Sequence, residues 1–144
     1  MSTSVAVPAH LGWRLLALVY DSLPVLALWF AASGASLLLR GGVPILPWTP
    51  TFWVQNLALW LITGGYAVLS WRRGGQTIGM RPWRLRVVRD DGTPPGSAQL
   101  WRRYAWATLS LAAGGLGFAW SLLDRERRTW HDRASGTRLV RMPR

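Results

Sequence analysis

Three long apolar stretches separated by short polar ones organise this chain. The first covers residues 15–39, roughly 37 Å if helical, which exceeds a hydrocarbon core of about 30 Å and predicts a tilted membrane-spanning helix. With its flanking residues, this span is assigned to 12–39, after an N-terminal tail of residues 1–11. Gly41, Gly42, Pro44, Pro47 and Pro50 then stop the helix, so residues 40–51 read as an external loop, with Trp48 and Trp53 at interfacial positions. Residues 52–71 form a second span, antiparallel to the first and closed by Arg72, Arg73, Gly74 and Gly75. The polar segment 72–97 follows, in which LRVVR (85–89) predicts a short strand with Asp91 and Gly92 as its turn. In the tail, residues 125–144, GTRLVR (136–141) is a second candidate strand. Strands on one side of the membrane would pair into a short two-stranded cytoplasmic β element.

The third apolar stretch, 104–123 within the segment 98–124, conflicts with the charge pattern. Eight arginines lie between Arg72 and Arg103 and seven between Arg125 and Arg144. A third crossing would put these two groups on opposite sides, against the rule that basic residues stay cytoplasmic. A break at GGLG, Gly114 to Gly117, would instead give two arms of about 15 Å that dip in and return. The expected fold is therefore an all-α membrane protein: two transmembrane helices as a hairpin plus a re-entrant or half-spanning third segment. A third full span is the rival arrangement. Small residues Ala27, Ala31 and Ala35, and Ser110 with Gly114, offer ridges for close helix packing.

Composition sharpens the class. Half of the 144 residues are hydrophobic, eleven are Trp, and seventeen basic against six acidic residues give a net charge of +11. All the basic residues are Arg, and they flank the apolar stretches rather than forming a nucleic-acid groove, so no nucleic-acid partner is expected. The expected surroundings are the lipid bilayer of a bacterial inner membrane and its anionic headgroups, with the N-terminus and tail cytoplasmic. A homo-oligomer is compatible. Cysteine is absent, which removes thiolate chemistry and cysteine metal sites. With no phosphate-binding loop, nucleophile elbow or HExxH spacing, an enzyme, a metal and a cofactor are not expected.

The polar residues inside the apolar stretches are the candidate chemistry. Arg14 and Asp21 fall within about 20° of each other on one helical face, two turns apart. Arg14 can snorkel to the headgroups. Asp21 is too short to do so, and a carboxylate at its depth would cost about 2.5 to 3.5 kcal/mol without company. Tyr66 and Ser70 on the second helix fall at matching depth, and Asn56, Thr63 and Ser70 recur every seventh residue as a polar stripe that could face Asp21. In the tail, His131 beside Asp132 is a weak metal signal; an ion pair from Asp132 to a neighbouring arginine is the expectation.

Arg14, Asp21, the stretch GGQTIGMRPWRLRVV and the ending DRERRTWHDRASGTRLV together resemble the RDD family of small bacterial membrane proteins, over nearly the whole chain from Trp13 to Val140. The family takes its name from one Arg and two Asp. Arg14 and Asp21 fit the first two, and Asp132 fits the third. Gly75, Gln76, Thr77 and Gly79 fit its G-Q-T-x-G element, while Met80, Arg81 and Pro82 depart from the usual continuation; His131, Gly136 and Thr137 belong to the matching tail. The resemblance implies a role in transport of a small ligand, with cation/proton exchange at Asp21 as one form of it. The alternative is a membrane binding or assembly module whose Arg-rich face engages anionic lipid or a protein.

Overall fold

A computed structural model of the chain describes residues 6–143. The first five residues of the N-terminal tail and the last residue of the basic tail lie outside the described residues. Two helices dominate: α1 (Leu11–Leu39) and α2 (Pro50–Gly74), each long and apolar enough to cross a membrane. Pro24 sits inside α1 without ending it. The N-terminus of α2 is set by Thr49, whose hydroxyl accepts from Phe52 N, with Pro50 in the first turn, where a missing N–H costs nothing. Its C-terminus closes on Gly75 in the left-handed region, φ 69°. Large side chains such as Phe30 and Leu38 point outward from α1, as a lipid-facing helix requires.

The hairpin is pinned across its length by polar contacts: Trp29 Nε1 donates to Thr63 Oγ1 at 2.8 Å and Gln55 Nε2 to Ser33 Oγ at 3.3 Å. The polar face of α2 therefore runs through Gln55, Thr63 and Tyr66, not through the expected stripe of Asn56, Thr63 and Ser70. Asn56 is exposed and bonds its own helix at Phe52 O. At 100° per residue the three stripe residues stay within about 40° of one another, but the stripe as a whole is turned roughly 60° to 80° away from the side that carries Gln55 and Tyr66, so of the three only Thr63 reaches α1. The Ala27, Ala31 and Ala35 ridge is also turned outward.

The third apolar segment is two pieces. Helix α3 (Ser97–Ala112) packs on α2 through Trp60 and Tyr104, and a Cβ on Gly64 would stand 2.6 Å from Tyr104 Cε1. The chain then breaks at Ala113, Gly114 and Gly115, and the short helix α4 (Leu116–Ala119) with the following turn runs at 106° to α3. The break uses the first two glycines of the expected cluster, Gly114 and Gly115, whereas Gly117 lies inside α4, packed against Ser110. Helix α5 (Trp130–Ser135) precedes the last strand.

The β element has three strands where the sequence pattern predicts two. Strand β3 (Thr137–Arg141) lies between β2 (Leu85–Arg89) and a two-residue β1 (Val7–Pro8), antiparallel to both, in the order β1-β3-β2. The N-terminal tail is too short and irregular to show period-two patterning, which is why β1 leaves no signal in the sequence. Leu85 and Val87 point inward from β2 and join Ala9, Ala17, Val68, Met80, Leu100 and Leu139 in one apolar core under Trp13, Trp71 and Trp83. This core fixes the sheet against the α1 N-terminus and the α2 C-terminus, and thereby places the polar residues of the interior.

Candidate functional site

Two polar centres lie on the inner side of α1. At the first, Asp21 is half-buried and accepts three hydrogen bonds from neutral groups. Tyr66 Oη donates to Oδ1 at 2.7 Å, Gly79 N donates to the same oxygen at 2.8 Å, and Thr77 Oγ1 donates to Oδ2 at 2.5 Å. Tyr66 is fixed in turn by Ile78 N, which donates to its hydroxyl at 3.1 Å. The tight approach explains Gly79: an added Cβ would stand 2.7 Å from Asp21 Cγ and press on the Ala17 carbonyl. Gln76 holds the same turn to the sheet by donating to Leu85 O at 2.7 Å. Thus the G-Q-T-x-G stretch is the lid of Asp21, delivered by the αL cap at Gly75.

The second centre is Asp132, fully buried at 0% exposure. Arg14 Nη2 lies 2.7 Å from Oδ2 and Arg103 Nη1 2.5 Å from Oδ1. Thr129 N donates to Oδ2, and Asp132 N donates to the Thr129 hydroxyl, a reciprocal cap that starts α5. Arg103 also donates to Thr137 Oγ1 at 2.9 Å and lies over the Trp71 ring. Burial alone pushes the Asp132 carboxyl up, but the Arg103 and Arg14 guanidinium groups reverse this and hold it well below the usual carboxylate range. His131 goes the same way for another reason: burial, with the Arg103 charge beside it, depresses its pKa to about 3, so the imidazole is neutral at physiological pH.

Arg14 does not snorkel. It is 3% exposed, its Nε donates to Ala9 O and Nη2 to Arg127 O, and it ties the start of α1 to the tail. Nor does Asp132 pair with a sequence neighbour: both its cations come from distant elements. The exposed Arg133 pairs with Asp124 instead. Ser70 makes no hydrogen bond with Asp21, and Thr63 meets Trp29 rather than the acid. Sequence reasoning missed Arg103, which counts there only as one of many basic residues. Its signal is a guanidinium at the edge of an apolar stretch with no nearby acid.

The two centres share a cavity of about 200 Å³ between α1, α2 and α3. Asp21, Arg14, Arg103 and His131 all line it, within walls otherwise made mainly of residues such as Val25, Leu111 and Phe118. Arg14 Nη1, Arg103 Nε and His131 Nδ1 are buried and have no partner among the described residues. Such unpaired polar nitrogens are costly in a protein interior and mark a place where water or a ligand completes the bonding. Among the described residues no cluster of three His, Asp or Glu suits a metal ion.

Two helices of membrane-crossing length, packed with α3 around a mainly apolar cavity that carries a few charged groups in its wall, define a small membrane protein. The chain matches the RDD family over residues 8–136 and belongs to it. No curated protein and no solved structure matches it significantly. In this fold the three residues fitted to the family name divide into an ion pair, Arg14 with Asp132, and a separate acid, Asp21.

Proposed function

We propose that the protein is a small-ligand carrier, or one subunit of a carrier, in the bacterial inner membrane, with the cavity between α1, α2 and α3 as its binding site and no chemical step. The observation that carries this reading is the cavity's lining: an acid held by neutral donors at one position, and at others two guanidinium groups and a neutral imidazole with nitrogens unpaired. A polar ligand that both donates and accepts hydrogen bonds suits such a wall. Exchange of a cation for a proton is the narrower form. It is favoured by the hydroxyls of Tyr66 and Thr77, which can rotate from donating to Asp21 to offering lone pairs to an ion. Two spanning helices with a bent third segment enclose little, so the transporting unit in this reading is an oligomer. The third segment is taken as a re-entrant hairpin that leaves the sheet, both termini and most arginines on the cytoplasmic side.

The test is flux in proteoliposomes under a pH gradient, with sodium or potassium as the counter-ion and a dye reporting internal pH. Asp21→Asn is expected to fold, with its melting temperature a few degrees lower, and to lose flux at least tenfold. Equal flux in this variant removes Asp21 from the mechanism. A well-folded wild type with no flux favours the second reading, a non-transporting assembly module in which the polar centres only hold the fold.

A further inference from the structure

A second groove, separate from the central cavity, lies where the sheet meets the start of α1 and has a volume of about 550 Å³. Three arginines line it, Arg84, Arg127 and Arg141, together with His10 and Trp13. None of the three guanidinium groups forms an ion pair or hydrogen bond among the described residues. The acidic side chains are engaged elsewhere. Asp21 and Asp132 serve the centres above; Asp90 pairs with Arg128 and Arg138, Glu126 with Arg128, and Asp124 with Arg133. Asp91 is bound by Thr93. Three like charges gathered with no counter-charge among the described residues repel one another, so this geometry asks for an anion.

The arginines are also held in place. Arg84 and Arg127 both have left-handed backbone, φ 56° and 54°, which is unfavourable for a side-chain-bearing residue unless it is anchored. Arg84 O accepts from Met142 N at 2.9 Å, and Arg127 O accepts from Arg14 Nη2 at 3.2 Å. Arg141 lies 4.3 Å over the Trp13 ring. The surroundings favour a lipid over a free ion. His10, Trp13, Trp83 and Tyr20 form a continuous aromatic ledge beside the groove, of the kind found at headgroup level, and Leu15, Leu16 and Val19 follow as an exposed apolar surface on α1.

We infer that this groove binds the phosphate of an anionic phospholipid headgroup, with the acyl chains lying against the exposed leucines at the start of α1. Guanidinium forks suit phosphate oxygens bidentately, and α1 presents its positive end on the same side, which adds only to the sign. This site is independent of the carrier reading.

The experiment uses the full chain in a neutral detergent, titrated calorimetrically with a short-chain phosphatidylglycerol, the matching phosphatidylcholine and inorganic phosphate. Wild type is expected to bind phosphatidylglycerol at least tenfold more tightly than either alternative. The groove variant Arg84→Gln/Arg127→Gln/Arg141→Gln should weaken that binding at least tenfold, whereas Arg73→Gln/Arg89→Gln/Arg125→Gln, which removes the same charge elsewhere, should weaken it less than threefold. The double variant Arg84→Gln/Arg127→Gln, which keeps Arg141 on Trp13, stands in if the triple variant does not fold, and the same tenfold loss is expected. Equal losses in the groove and control variants show attraction by net charge and overturn the site. Phosphatidylcholine binding as tightly as phosphatidylglycerol, or inorganic phosphate as tightly as the lipid, overturns the anionic-lipid assignment.

Discussion

The two buried acids are held in opposite ways. Asp132 is enclosed by two guanidinium groups and closed off at 0% exposure, while Asp21 is half-buried, touches no cation and rests on two hydroxyls and one backbone N–H. Charge against charge in a buried site cannot be loosened without stranding an ion. Neutral hydroxyls can turn, because each carries both a donor and lone pairs. The first arrangement is suited to joining distant parts of a chain, and here it joins α1, α3 and α5. The second is suited to exchanging partners, and it is the acid of this pair that lines the cavity.

The largest expected effect follows from the rigid centre. Asp132→Asn keeps the shape but removes the charge that compensates Arg14 and Arg103, and should destabilise the fold by about 3 to 5 kcal/mol. Thermal unfolding in detergent should show a fall large enough to cut the yield of folded protein. A variant that melts like wild type would mean that the two guanidinium groups do not depend on the Asp132 charge, and the contrast between the centres would fail.

The flexible centre should respond less. Tyr66→Phe removes one donor to Asp21, a loss of roughly 1.5 to 3 kcal/mol for a hydrogen bond to a charged group, and leaves the exposed Ile78 N–H to water. Ser70→Ala, on the same helix but with no bond to Asp21, should stay within about 0.5 kcal/mol of wild type. Denaturant unfolding of the three variants then gives the ranking Asp132→Asn, Tyr66→Phe, Ser70→Ala. A Ser70 effect equal to that of Tyr66 would restore the heptad stripe as the face toward Asp21.

The same ranking separates what the chain discloses locally from what it does not. The two long helices are legible because apolar runs of membrane length seldom arise except in a bilayer, and β2 and β3 are legible from alternation and turn residues. Asp21 is legible as a candidate site because lipid cannot solvate a carboxylate, and Tyr66 is reachable by matching depth along antiparallel helices. Thr77 and Gly79 carry a family pattern with no position attached; their place over Asp21 depends on the αL cap at Gly75 and on the sheet that anchors Gln76. Arg14 reads as a headgroup residue because its partner is distant along the chain, and a pairing across α1, α3 and α5 leaves no local periodicity. Arg103 is hidden for the same reason among so many other arginines.

The pH dependence of stability should belong to the rigid centre, through His131. Its imidazole has an ordinary pKa near 6.5 when the chain is unfolded and about 3 in the folded protein, where burial opposes the charge. Below about pH 6.5 the unfolded chain therefore binds a proton that the folded chain refuses, and stability falls on acidification. The fall approaches about 1.4 kcal/mol per pH unit once the unfolded histidine is fully protonated, and it continues towards pH 3. Asp132 adds to the loss only below about pH 4, because its folded pKa is lower than its unfolded one and the proton is again taken up by the unfolded chain first. Unfolding free energies measured at pH 7, 6 and 5 should decline in wild type and stay nearly level in His131→Gln, whose amide does not titrate. An equal decline in both would assign the acid sensitivity to groups other than the imidazole buried against Phe118.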